Sequence, residues 1–170
     1  MKSVDAKDVI EVARDICEKT GSRLTETRQH MLEVLLTIGT PKSAYELTEH
    51  YNRLIESPIM AMSAYRILDF LASIRLVHRL HSINKYIICK HPIGTCEYQV
   101  PLFLICRSCQ HIEEIEMAAD IAKTLSEQAE STGFVTTGSQ IELTSLCKNC
   151  KSNTHQHSLG DFNAQDPTNK

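Results

Sequence analysis

The sequence predicts an α+β chain in two parts: a helical unit that ends in a β-hairpin, then a small α/β unit tied at its ends by cysteines. Three observations carry this. Apolar residues recur at helical spacing through most of residues 4–73. Two short β-prone runs, "LVHRL" and "YIIC", flank the polar "HSINK". Two CxxC pairs, Cys106 with Cys109 and Cys147 with Cys150, bracket 37 residues that read as strand, helix and strand.

Residues 4–20 place Val9, Ala13 and Ile16 on one helical face, with Gly21 as a stop. Thr25 is the expected N-cap of a second helix burying Leu32, Leu35 and Leu36. In "GTPKSAYELTEHY", Ser43 and Glu46 form a capping box that starts a third helix running to about Leu54. A fourth helix is expected from Ser57 as cap and Pro58 in the first turn, with Ala64, Ile67, Leu68 and Leu71 inward and Met62, Arg66, Asp69 and Ser73 outward. The hairpin follows. Beyond it come a strand to Cys106, a strand from Ile112 to Glu116, a helix from Ala118 to about Ser131, and a returning strand in "SQIELTSL". The expected domain limits are 1–89, 90–152, and a polar tail over 153–170 that lacks the aliphatic residues needed to fold.

The bulk numbers narrow the function classes. No apolar run approaches a membrane span, and acids interrupt the first residues where a signal peptide needs an unbroken apolar stretch, so a cytoplasmic chain is expected. Net charge is −3, yet residues 1–90 hold 13 Lys+Arg against 11 Asp+Glu, while residues 91–170 hold 5 against 10. A locally basic N-terminal half in an acidic chain suits a polyanion partner. No Gly-rich phosphate loop and no nucleophile–base pair stands out, so catalysis is not expected.

Helices followed by a hairpin is the order of a winged helix-turn-helix. Its fourth helix would enter a major groove, where an exposed Arg pairs bidentately with guanine. The plain alternative is a helical unit whose polar face is merely wet.

Seven cysteines in a chain expected in a reducing compartment favour metal binding over disulfides. Cys106, Cys109, Cys147 and Cys150 can supply four thiolates to one zinc ion, with Arg107, Lys148 and Lys151 beside them to offset charge. A redox dithiol instead requires a CxxC at a helix N-terminus, whereas both pairs here close apolar, strand-like runs. Cys17 reads as core, Cys89 reads equally as a small buried hydrophobe, and Cys96 lies in a connecting segment.

These motifs, taken in order, resemble the ferric uptake regulator family and most closely its zinc uptake regulator branch. "SRLTETR" resembles the family's opening motif, "SAYELTEHY" the branch's second-helix segment, and "SAYRILDFL" the recognition helix. "LVHRLHSINKYIIC" is similar to the wing, and the two CxxC pairs to the structural zinc site. The resemblance spans about residues 5–150. It implies a homodimeric, zinc-responsive repressor of metal-uptake genes, with an N-terminal winged helix and a C-terminal dimerisation domain. It also implies two zinc ions per chain: one structural, and one regulatory between the domains that fixes the dimer in the shape gripping a pseudo-palindromic, double-stranded operator.

By resemblance the regulatory ligands are His78, Cys89, Glu114 and a residue in the loop after the wing. Gln99 stands at the family's loop position when counted back from Cys106, and a neutral amide is a poor zinc ligand. Counting forward from Cys89 matches the family's Thr-His with Thr95-Cys96, which points to Cys96, with Glu97 and His91 in reserve. Taken singly, His78 reads as a wing-surface residue and Glu114 as part of the solvated face of "IEEIE". Other departures are Ser63-Ala64 for the family's Thr-Val, Gly138 for a frequent histidine, and no His-x-His before the strand ending at Cys106. Arg66 is the expected base reader, with Tyr65, Tyr45 and Ser63 near bases or phosphates and Lys42 on phosphate. His155 and His157 in the tail could catch metal loosely. Two rival readings are a zinc-stapled DNA-binding or interaction protein without sensing, and a regulator answering another divalent metal.

Overall fold

The computed structural model describes residues 6–89, 100–137 and 140–154. Four helices come first: α1 (Ala6–Lys19), α2 (Glu26–Ile38), α3 (Ala44–Leu54) and α4 (Ala61–Ser73). The strands β1 (Val77–Leu80) and β2 (Lys85–Ile88) follow, then β3 (Val100–Cys106), β4 (Ile112–Met117), α5 (Ala119–Ser131), β5 (Ile141–Ser145) and α6 (Lys148–Thr154).

The helix ends follow from local chemistry. Gly21 ends α1 in the left-handed region at φ 65°, where its neighbour Ser22 donates back to the Cys17 carbonyl at 2.8 Å. The Thr25 hydroxyl accepts the Arg28 amide, and Gly39 at φ 62° closes α2. At α3 the capping box is complete: the Ser43 hydroxyl accepts the Glu46 amide, and the Glu46 carboxylate accepts the Ser43 amide at 2.8 Å. The backbone and hydroxyl donors of Ser43 hold the Glu46 carboxyl down at about 2.

The fourth helix departs from expectation. It begins at Ala61, with Met60 as an N-cap that makes no side-chain bond, and not at Ser57 and Pro58. The reason lies in α3. The Asn52 side chain accepts the Ile59 amide at 2.8 Å and donates to the Ile59 carbonyl at 3.0 Å. Asn52 thus occupies the Ile59 carbonyl, and the first helical bonds, from the Ser63 and Ala64 amides, go to the Met60 carbonyl instead.

Ile10, Ala13, Met31, Leu32, Leu35, Leu47, Tyr51, Ala64, Leu68 and Leu71 make one core for the four helices, and each fully buried aliphatic side chain contributes about 1.5–3 kcal/mol. The hairpin pairs Val77 with Ile88, His78 with Ile87, Arg79 with Tyr86 and Leu80 with Lys85. Alternation then divides its faces. Val77 and Tyr86 join the helical core, while Leu80 and Ile87 join a second core with Phe103, Ile105 and Ile112. The hairpin is thus buried on both sides.

The second sheet has the order β4-β3-β5, with β4 antiparallel and β5 parallel to β3. Phe103 lies across from Glu114 on one side and Glu142 on the other. Its opposite face carries exposed Ile115 and Leu143, and α5 has no buried residue within the chain. α6 runs from Lys148 to Thr154.

Candidate metal centres

Two groups of ligand-type side chains come together among the described residues: Cys106, Cys109, Cys147 and Cys150, and His78, Cys89 and Glu114. Within each group the ligand atoms all lie within 4.8 Å of one another.

The first group is built by two knuckles. Cys106 ends β3, and its carbonyl accepts the Gln110 amide at 2.9 Å in a turn that sets Gln110 at φ 57°. The Cys147 amide points at the Cys106 sulfur at 3.4 Å. The Cys109 and Cys147 sulfurs stand 3.6 Å apart, far beyond the disulfide bond length of about 2.05 Å. Four sulfurs held tetrahedrally at about 2.3 Å from zinc lie about 3.8 Å apart, so this donor set fits that ion. Thiol ionisation is split across the group. Amides of Cys109 and Cys147 hold the Cys106 thiol down at about 6. The His111 amide also favours a Cys109 thiolate, but sulfur neighbours Cys150, Cys106 and Cys147 outweigh it and push that thiol up to about 12. Four thiolates this close cannot all ionise without a cation among them.

One expectation needs correction. The second pair does not close a strand: β5 ends at Ser145, and Cys150 lies within α6, with Cys147 just before it. The two backbones still meet through the bond from the Arg107 amide to the Ser145 carbonyl, 2.9 Å long. That contact keeps both pairs in one cluster.

The second group spans the two cores. His78 lies on β1, and Cys89 follows β2, its amide donating to the Leu76 carbonyl at 2.9 Å. Register puts Cys89 opposite Leu76, so His78 and Cys89 project from the same hairpin face. Glu114 comes from β4 and is 8% exposed, which overturns the solvated-face reading of "IEEIE" at this position. Its neighbours Glu113 and Glu116 are exposed. The His78 ring rests on Phe103 with centroids 4.9 Å apart. Its Nε2 lies 3.5 Å from a Glu114 oxygen, and this buried nitrogen makes no hydrogen bond of ordinary geometry. Burial presses the imidazolium pKa down, but Cys89 and Glu114 outweigh it and raise it to about 9. Imidazole, thiolate and carboxylate aimed at one point fit a divalent ion of zinc's type. Cys96, Glu97, His91 and Gln99, the candidates for a further ligand, lie outside the described residues, as do Gly138 and the tail residues His155 and His157.

The expected DNA-facing residues lie on α3, on α4 and just before α3. Arg66 and Ser63 are exposed on α4, and Tyr45, 64% exposed on α3, meets Tyr65 edge-on at 6.1 Å. Tyr65 is half-buried against the helical core. Lys42 pairs with Glu46 at 3.2 Å. Met62, expected on the outward face with Arg66, is 67% exposed, and Met60, which the sequence reading did not single out, is 80% exposed. That reading also missed Gln140 and Glu142, which reach the hairpin from β5 and the residue before it. No short-range pattern marks those two, because their partners stand about sixty residues away.

Comparison with known proteins agrees with the fold. The sequence profile of the Ferric uptake regulator family matches residues 19–144. The Zinc uptake regulation protein of Escherichia coli (strain K12) is 29% identical over 150 residues, 88% of this chain and 85% of that protein. A Zinc Uptake Regulator solved in complex with zinc and DNA superposes with a TM-score of 0.76 at 26% identity, over 89% of this chain and 99% of that one. The holo XcZur crystal structure gives 0.71 at 30% identity, over 86% and 99%.

Proposed function

The chain belongs to the ferric uptake regulator family, and from that premise we propose that it is a zinc-responsive, DNA-binding repressor of metal-uptake genes. It acts as a regulator and not as a catalyst, in the cytoplasm where operator DNA lies. The observation that carries this reading is the convergence of His78 and Cys89, from the hairpin, with Glu114, from the second sheet.

Each residue has a part. His78 and Cys89 travel with the winged-helix unit, because the other hairpin face is sunk in the helical core. Glu114 is fixed in β4. The three donors meet only when the hairpin lies on Phe103, so their meeting defines one orientation of the two units. A bound divalent zinc ion supplies the positive charge that keeps thiolate and carboxylate ionised side by side, at a soft–borderline donor set suited to zinc. The family's dimeric state gives the exposed Ile115, Leu143 and α5 residues a partner surface. With the orientation fixed, Arg66 and Ser63 of both protomers can meet successive major-groove faces about 34 Å apart. Tyr65 and Tyr45 adjoin them, and Lys42 reaches phosphate from the edge. Cys106, Cys109, Cys147 and Cys150 hold a structural ion, making two per chain with Cys96 completing the regulatory set. The limits 1–89 and 90–152 serve as working domains, the second extended through α6.

Cys89→Ser tests the reading. The variant is expected to remain a folded dimer with its structural zinc and to lose zinc-stimulated binding to a duplex enriched from a random pool by the wild-type protein in zinc. Operator affinity that still follows buffered free zinc in this variant refutes the assignment. Manganese and iron titrations separate the zinc reading from the other metals.

A further inference from the structure

The row Glu114–Phe103–Glu142 runs straight across β4, β3 and β5, so both carboxylates face the hairpin from either side of one aromatic ring. Glu114 has a role above. Glu142 is engaged in a different way. One of its oxygens accepts the His81 amide at 2.8 Å, and the other accepts the Ser82 amide at 2.9 Å and the Ser82 hydroxyl at 2.6 Å. Gln140 steadies it, donating to the first oxygen at 2.8 Å and to the Arg79 carbonyl at 2.7 Å. Lys85 adds a third tie, from its ammonium to the Gln110 side chain at 2.7 Å. Apart from the Gln140–Glu142 bond, each of these joins the hairpin to the second unit, and none includes a metal ligand.

Two successive turn amides aimed at one oxyanion form a small anion-binding concavity. Hydrogen bonds to a charged acceptor are about twice as strong as neutral ones, and Glu142 is partly shielded from water. Burial raises its pKa, but the Ser82, His81 and Gln140 donors outweigh this and leave it lowered, so the carboxylate stays ionised near neutrality.

We propose that Glu142 is a positioning residue, a metal-independent clasp that seats the hairpin turn on the second sheet and thereby sets how much zinc the protein needs. This rests on the function proposed above. The apparent affinity of a site is its intrinsic affinity scaled by the fraction of molecules already in the binding-competent arrangement. Glu142 enlarges that fraction before any ion arrives. Removing it leaves every ligand in place and moves only the concentration at which the site fills.

The test uses full-length dimer with Glu142→Gln, which keeps volume but cannot accept from both amides. Binding to the selected duplex is titrated against buffered free zinc, and hydrogen exchange at His81 and Ser82 is followed with only the structural zinc present. The zinc midpoint should rise roughly tenfold, with affinity at saturating zinc kept within about twofold, and the two amides should exchange faster. Ser82→Ala, which removes one donor, should move the midpoint less and in the same direction. It carries the test if Glu142→Gln fails to fold. A midpoint that stays put while the wild type responds overturns the clasp alone, as does a lost plateau without a shifted midpoint. A wild-type curve flat in zinc overturns the functional reading and the clasp with it.

Discussion

Replacing Cys147 with serine should unfold half of this molecule and spare the other half. The hydroxyl cannot ionise as a thiol does, so the four-sulfur site loses a ligand and its hold on the ion. The staple closes a loop of 37 residues between Cys109 and Cys147, and a cross-link over that length is worth about 4 kcal/mol in chain entropy at 25 °C. Little else holds this unit together. Its own core residues are Phe103, Ile105 and Ile112, helped by Leu80 and Ile87 of the hairpin, while α5 buries nothing within the chain. The helical unit has an independent core from α1 to the hairpin. Amides of β4 and β5 are therefore expected to lose protection by up to about a thousandfold, while α2–α4 keep theirs, in hydrogen exchange resolved by peptide. Elemental analysis should find the tightly held zinc gone. Strands that exchange at the wild-type rate in a zinc-depleted Cys147→Ser protein would refute the reasoning.

Further outcomes follow from other parts of the fold. Arg66→Ala should weaken binding to the preferred operator by about 1–3 kcal/mol and relax base preference at one position, and an equal loss on all sequences would mark a phosphate contact instead. The capping-box carboxylate has a folded pKa near 2 against 4.5. Its stabilisation is thus complete above pH 4.5 and is lost as pH falls toward 2. Because the Glu46 side chain is 40% exposed, solvent screening reduces that contribution to about 1 kcal/mol. Urea midpoints down to pH 3 should show it, and Ser43→Ala should flatten the slope. Leu143→Asp places a charge on the exposed apolar face of the second sheet and should raise the dimer dissociation constant by on the order of a hundredfold, read by sedimentation. An unchanged constant would put the interface elsewhere.

What the sequence disclosed was mostly local. Capping at Thr25 and Ser43, the glycine stop at Gly21 and the hairpin about "HSINK" each rest on neighbours within a few residues, and all appear where expected. The fourth helix began late because the deciding group, Asn52, stands seven residues earlier, outside any capping pattern. The four cysteines were legible from spacing. His78 and Cys89 came from resemblance alone. Among the three acids of "IEEIE", the burial of Glu114 depends on pairing with Phe103, and strand pairing leaves no local trace. Glu142 was invisible for the same reason.

The hairpin's two-sided burial bears on the life of the metal-starved protein. When the halves part, it must leave with the helices, and Leu80 and Ile87 come away from Phe103, Ile105 and Ile112. Both surfaces bared by such a parting would be apolar, and exposed apolar patches of that kind favour association with other chains.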